Sequence, residues 1–115
     1  MNEPNAASSY FVDKDSGARR ELFPGVSIRA FGGESMTVSV VTFEPESRVE
    51  KHSHPHEQMG VLVSGRLEFQ IGKIVKTLEP GDGWRIPGGV EHSVTAVGGP
   101  AVAFDVFHPN RQEYL

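Results

Sequence analysis

The stretch HSHPHEQ, residues 52–58, places three of the chain's five histidines within five positions. In an extended strand, residues two apart point the same way, so His52 and His54 can aim both imidazoles at one point. Gln58 keeps the same parity on the next strand segment. Protonated imidazoles repel each other, whereas a divalent cation accepts both lone pairs at once. The stretch therefore indicates a metal site; the alternative is a polar loop of solvated histidines.

A second turn, PGGVEH at residues 87–92, also ends in a histidine. Such a turn leads into a new strand and can carry the imidazole of His92 back toward the first cluster. His92 therefore joins the candidate ligands.

Short segments rich in β-forming residues lie between glycine and proline turns along most of the chain. The clearest is 66–71, where Leu67, Phe69 and Ile71 alternate with polar residues at the period of a half-buried strand. Similar segments are 26–31, 36–43, 59–63, 74–78, 84–86, 90–96 and 101–107. No long helical pattern competes with them, which predicts an all-β sandwich or barrel.

The two histidine motifs resemble those of the cupin family. His52 and His54 are followed by Gln58 and Gly65 at the spacing of the first cupin motif, and residues 81–92 resemble the second. The resemblance implies a single-domain double-stranded β-helix, or jelly-roll barrel, usually paired as a homodimer. We place the barrel at residues 21–115, with residues 1–20 as an N-terminal arm or an edge strand. The metal ligands that the resemblance implies are His52, His54, Gln58 and His92.

Three positions depart from the usual cupin pattern. Glu46 replaces a glycine ahead of the first histidine, and Ala96 replaces an asparagine that closes the second motif. Both positions are structural, so the predicted fold stands. Gln58 replaces the usual glutamate ligand, which leaves a bound metal with its full double charge. Such a neutral shell favours Lewis-acid chemistry over redox chemistry.

The strand predicted at 101–107 carries a second group of candidate residues. Its alternation sets three bulky apolar residues on one face, and two alanines, Asp105 and Phe107 on the other. The second face suits the wall of a cavity, although it would also suit a solvent-exposed face.

The C-terminal stretch DVFHPNR, residues 105–111, resembles that of cupins similar to the pectin-degradation protein KdgF. Those enzymes open the ring of 4,5-unsaturated monouronates to give linear keto acids. The resemblance implies that Asp105 and Arg111 are catalytic and that Phe107 and Arg111 bind the substrate. A carboxylate can move protons, and an arginine can hold a substrate carboxylate by a bidentate bond.

Composition limits the cofactors and partners. The chain has no cysteine, so disulfides and thiolate metal sites are excluded. A formal net charge of −4, without a basic cluster, predicts no nucleic-acid or membrane partner. The N-terminal residues lack the features of a secretory signal, which predicts a cytoplasmic protein. The cofactor we expect is one divalent ion, with Ni, Zn, Mn and Fe equally compatible.

Three functions remain open at this point. The first is a metal-dependent enzyme that opens the ring of an unsaturated uronate or a related sugar acid. The second is a cupin-type metal-dependent dioxygenase, and the third is a cupin that binds a small molecule without catalysis.

Overall fold

A computed structural model describes residues 10–115, which form ten strands and one short 3-10 helix. The strands are β1 (Ala18–Phe23), β2 (Val26–Gly32), β3 (Thr37–Phe43), β4 (Arg48–His52), β5 (Glu57–Ser64), β6 (Leu67–Ile71), β7 (Ile74–Leu78), β8 (Gly83–Ile86), β9 (His92–Ala96) and β10 (Ala101–His108). The 3-10 helix η1 is Gln112–Tyr114.

The strands form two antiparallel sheets. The larger has the order β1-β2-β3-β10-β5-β8, and the smaller has the order β4-β9-β6-β7. Their inner faces enclose one hydrophobic core, so the all-β jelly-roll prediction is confirmed. No helix among the described residues is long and apolar enough to cross a membrane.

All eight predicted strand segments are present, with ends that differ by a few residues. Strand β9 begins at His92 rather than at residue 90, because Val90 still belongs to the preceding turn, where its N–H donates to the Pro87 carbonyl. Strand β4 was not predicted, since its sequence shows no strict alternation, whereas β1 overlaps the segment 1–20 for which an edge strand was one alternative. Strand β1 is the edge of the larger sheet and runs across residue 20, where we placed the end of the arm. Residues 1–9 of that arm lie outside the described residues.

Strand β10 lies between β3 and β5 in the larger sheet and has two different faces. Asp105 and Phe107 point inward and are buried with the two alanines, whereas Phe104 and Val106 are exposed on the outer face. The interpretation of this strand as a cavity wall is therefore correct, and the solvent-exposed alternative is wrong. The bulky apolar face, not the polar one, meets solvent.

The two ends of the barrel differ in composition. At the closed end, Ala101 pairs with Phe43 and Leu67 pairs with Ala96, and all four are buried. Each large apolar side chain buried there stabilises the fold by about 1.5–3 kcal/mol. At the site end, His52 pairs with His92, and Phe107 pairs with Gln58. Polar side chains thus enter the interior at one end only.

At the closed end, two of the departures from the cupin pattern meet: Glu46, in a turn, and Ala96, the last residue of β9. Glu46 has a φ of 63°, the left-handed conformation that glycine adopts most easily. Its N–H donates to the Ala96 carbonyl at 3.1 Å, and its carboxylate accepts from the Gly98 N–H at 2.9 Å. Glu46 thus makes a side-chain hydrogen bond while its backbone holds a conformation that is unfavourable for glutamate.

Candidate metal centre

Three histidines converge at the site end of the barrel. His52 ends β4 and His92 begins β9, where the two are direct cross-strand partners. The ligand nitrogens of His52, His54 and His92 lie within 4.8 Å of one another, so the cluster can hold a metal ion. The alternative of a solvated loop is wrong, because His54 and His92 are buried.

His54 reaches this cluster from a loop rather than from a strand. Strand β4 ends at His52, and the chain turns at Pro55 before β5 begins. The expected extended strand through both histidines is therefore absent. The His54 ring still lies 5.0 Å from the His92 ring and 5.6 Å from the His52 ring, between centroids.

Backbone carbonyls determine which imidazole nitrogens face the centre. Nδ1 of His52 lies 2.8 Å from the Glu50 carbonyl, and Nδ1 of His92 lies 2.8 Å from the Val90 carbonyl. Nδ1 of His54 lies 3.1 Å from the carbonyl of His56. Because a carbonyl only accepts, each Nδ1 carries the proton and donates it. Each Nε2 then has a free lone pair, as a metal ligand requires.

Two further observations fit a divalent ion. Nε2 of His92 is buried and has no hydrogen-bond partner among residues 10–115. Burial lowers the pKa of His54 to about 4 and also lowers the pKa of His92, and the Arg111 charge acts in the same direction. These two imidazoles are therefore neutral near pH 7 and able to bind a cation.

Gln58 connects the histidines to a buried carboxylate. Its Oε1 lies 3.0 Å from Nε2 of His54, and its Nε2 donates to Oδ1 of Asp105 at 2.9 Å. The same Oδ1 accepts a second hydrogen bond, at 2.7 Å, from Nε1 of Trp84. Burial raises the pKa of Asp105 to about 6, although both hydrogen bonds oppose the shift.

Arg111 lies between two aromatic rings at the C-terminal end of the chain. Its guanidinium carbon is 4.9 Å from the Phe107 ring centre and 4.1 Å from the Tyr114 ring centre. Nε donates to Glu113 at 2.9 Å, while the two terminal nitrogens make no hydrogen bond to the described residues. The terminal N–H groups are therefore available to a ligand.

A cavity joins these groups. Its inner part, of about 40 Å³, is lined by His52, Gln58, His92, Asp105 and Arg111 together with apolar core residues. A second, more open pocket of about 240 Å³, the mouth, shares Leu22, Val49, His52, Arg111 and Tyr114 with the lining of the first. The inner part has room for an ion and water, and the mouth has room for a small organic molecule.

The structure thus brings all the predicted site residues to one end of the barrel. Sequence reasoning missed the polar role of Trp84. Trp84 is indeed buried against Phe69, and its ring N–H bonds to Asp105 as well. Sequence reasoning also missed Tyr114, which lines the cavity. A buried tryptophan needs a hydrogen-bond partner for its ring N–H, and this requirement could have indicated the polar role of Trp84.

Comparison with known proteins agrees with this architecture. A family model described as the cupin domain matches residues 39–107. The chain belongs to the cupin family. Curated protein sequences give no match.

Several solved cupin-like structures share the fold. KdgF from Halomonas sp. is 23% identical with a TM-score of 0.83, covering 91% of this chain and 97% of its own. An RmlC-like cupin from Shewanella frigidimarina is 19% identical with a TM-score of 0.84, covering 92% and 96%. Oxalate decarboxylase from Bacillus subtilis is 22% identical with a TM-score of 0.77, and the match covers 86% of this cupin but only 29% of that chain.

Proposed function

We propose that this cupin is a metal-dependent enzyme that opens the ring of a 4,5-unsaturated monouronate, or a related sugar acid, to a linear keto acid. One observation carries the proposal: two of the clustered histidines, a buried carboxylate and a buried arginine line one small cavity. Together they offer a site for a Lewis-acid cation, an anchor for a substrate carboxylate and a group able to carry a proton, which ring opening requires.

The proposed cofactor is one divalent ion on His52, His54, Gln58 and His92. Three imidazole nitrogens and an amide oxygen suit Ni, Zn, Mn and Fe. When bound, the ion supplies Lewis-acid stabilisation of an oxyanion that develops on the substrate. The neutral ligand set disfavours higher oxidation states, which speaks against the dioxygenase alternative.

Arg111 is the proposed anchor for the substrate carboxylate. Its Nε is already paired with Glu113, and its stacking between Phe107 and Tyr114 fixes the plane of the guanidinium. The free terminal N–H groups can then form a bidentate pair with a planar carboxylate. The sugar ring would occupy the mouth of the cavity, with its reacting end toward the histidines.

Asp105 is the proposed proton carrier. One of its oxygens accepts from Gln58 and Trp84, and the other makes no hydrogen bond to the described residues. Ring opening requires the anomeric hydroxyl to lose a proton and a carbon to gain one. A single carboxylate can perform both transfers in turn, which returns it to its starting state.

The similarity to KdgF from Halomonas sp. in fold, together with the C-terminal resemblance at residues 105–111, supports this choice of substrate. The test is direct. Metal-loaded protein should speed the loss of ultraviolet absorbance of a 4,5-unsaturated monouronate, because ring opening destroys the conjugated enol ether. Metal-bound protein that leaves such uronates unchanged would refute the proposed activity.

We also propose a homodimer. The outer face of the larger sheet offers a surface for pairing. It carries a continuous apolar patch across β3, β10 and β5, formed by Val38, Val40, Met59, Val61, Val63, Phe104 and Val106. A patch of this kind at the centre of a sheet is typical of an interface between identical subunits. Light scattering tests it: a dimer mass is expected, and Phe104→Lys should give a monomer.

A further inference from the structure

Gln58 is the one proposed ligand that is an amide, and its two ends differ chemically. The oxygen can bind a cation, whereas the nitrogen is a donor that cannot. A free amide can turn either end toward the histidines, so its orientation decides whether it is a ligand at all.

Three residues at the same level of the larger sheet bear on that orientation. Asp105 on β10 pairs with Gly60 on β5, and Gly60 pairs with Trp84 on β8. The Trp84 ring crosses over Gly60 to reach Asp105, and Gln58 lies two residues before Gly60 on the same inward face.

Gly60 makes this crossing possible. A Cβ at this position would lie 2.5 Å from Oδ1 of Asp105 and would also collide with Nε1 of Trp84. A glycine in the interior of a strand weakens the strand unless something must approach closely. Here the close approach is the Trp84–Asp105 hydrogen bond.

We infer that Asp105, held by Trp84, is a positioning residue that turns the nitrogen of Gln58 away from the histidines and its oxygen toward them. Oδ1 of Asp105 accepts both hydrogen bonds, so only the nitrogen of Gln58 can face it. The pairing also accounts for glutamine at this position. A glutamate would place two carboxylates at hydrogen-bond distance, which is unfavourable unless one takes up a proton. The inference rests on the metal-binding part of the proposed function.

Two substitutions of Asp105 separate positioning from charge. Asp105→Asn keeps an oxygen that accepts from both donors, whereas Asp105→Leu leaves no acceptor. We expect Asp105→Leu to weaken Co²⁺ binding by at least about tenfold, as loss of a residue that orients a ligand typically does. Asp105→Asn should stay within about threefold of wild type. Calorimetric titration of the metal-free protein with Co²⁺ measures both.

Each outcome has a distinct meaning. Equal weakening in both variants would show that charge matters and would overturn the inference. Unchanged binding in both would overturn it too. A wild-type protein that binds no Co²⁺ would refute the metal site itself, and with it the proposed enzyme.

A second measurement does not depend on the folding of Asp105→Leu. Gln58→Glu in the metal-free protein at pH 8 should lower the melting temperature by about 5 °C or more, because it sets two carboxylates together. In the Asp105→Asn background the same change should cost less than half as much, because the second charge is gone. Equal costs in the two backgrounds would overturn the pairing.

Discussion

The two ends of the barrel are built from the same strands but do different work. At the closed end, strands such as β5 and β10 contribute Leu62 and Ala101, which are almost completely buried among other apolar side chains. At the site end, the same strands contribute Gln58 and Asp105, which are buried and hydrogen-bonded to each other, and burial raises the pKa of Asp105. Burial thus stabilises the fold at the closed end, and at the site end it shifts the pKa values of His54 and Asp105.

Substitutions at the two ends should therefore change different properties of the protein. Changes at the closed end should alter the free energy of unfolding and leave binding alone, since distant sites are close to additive. Changes at the site end should alter metal or substrate binding.

The largest effect belongs to Leu62→Ala at the closed end. Leu62 is 1% exposed, so the substitution should lower the free energy of unfolding by about 2–5 kcal/mol through lost burial and a cavity. Urea denaturation measures this, and Co²⁺ affinity should not change. Val75, 56% exposed on β7 and outside the proposed dimer patch, provides a matched control. Val75→Ala should cost less than about 1 kcal/mol. Weaker Co²⁺ binding in Leu62→Ala would contradict the separation of stability at the closed end from binding at the site end.

Asp105→Asn should show the next largest effect, and at the site end only. Asparagine preserves size and the oxygen that accepts from Gln58 and Trp84, but it removes the proton carrier. Turnover of an unsaturated uronate should fall by roughly a hundredfold, with the fold intact. Asp15→Asn makes the same change at an exposed surface aspartate, so it serves as the control and should keep full turnover. Turnover close to wild type in Asp105→Asn would exclude Asp105 as the proton carrier.

Arg111→Ala should mainly affect substrate binding. Loss of a charge-assisted bidentate contact should raise the apparent KM by an amount corresponding to about 2–3 kcal/mol. Arg111→Lys keeps the charge without the planar fork and should recover only part of that loss. Arg66, an exposed arginine paired with Glu79 on the surface, gives a control substitution that should leave KM unchanged. An unchanged KM in Arg111→Ala would mean that the substrate carboxylate is held elsewhere.

The smallest effect is expected for substitutions of Glu46, in the turn at the closed end. Glu46→Ala keeps the left-handed conformation and loses the bond to the Gly98 N–H, so it should lower the free energy of unfolding by about 1 kcal/mol. Glu46→Gly loses the same bond but removes the conformational cost, which is of order 1–2 kcal/mol for a residue with a side chain. The glycine variant should therefore be the more stable of the two in thermal melts. The reverse order would show that the left-handed conformation at this position carries no such cost.

Much of the fold was predictable because alternation is a local property. Residues 66–71 indicate a strand without reference to any partner, and the structure places β6 there. The bounds of β1 and the presence of β4 were not predicted, because the burial of both strands depends on how the sheets close. The burial of β4 alternates only weakly, and β1 is mostly exposed.

The candidate site was predictable as a set of residues but not as an arrangement. The spacing of His52, His54 and His92 suggested convergence, and the structure brings them together. The hydrogen bond from Trp84 to Asp105 spans 21 positions and passes over Gly60. Such a contact depends on strand register between β8, β5 and β10, which no single segment encodes.

The position of β10 has a consequence for how the chain is made. This strand lies between β3 and β5, yet it is encoded after both of them. During synthesis, β3 and β5 leave the ribosome long before residues 101–108 and present unpaired edges in the meantime. The larger sheet can close only when β10 inserts between them, a non-local step of the kind that slows folding. The nascent chain is therefore most open to aggregation, and most in need of chaperones, just before its central strand emerges.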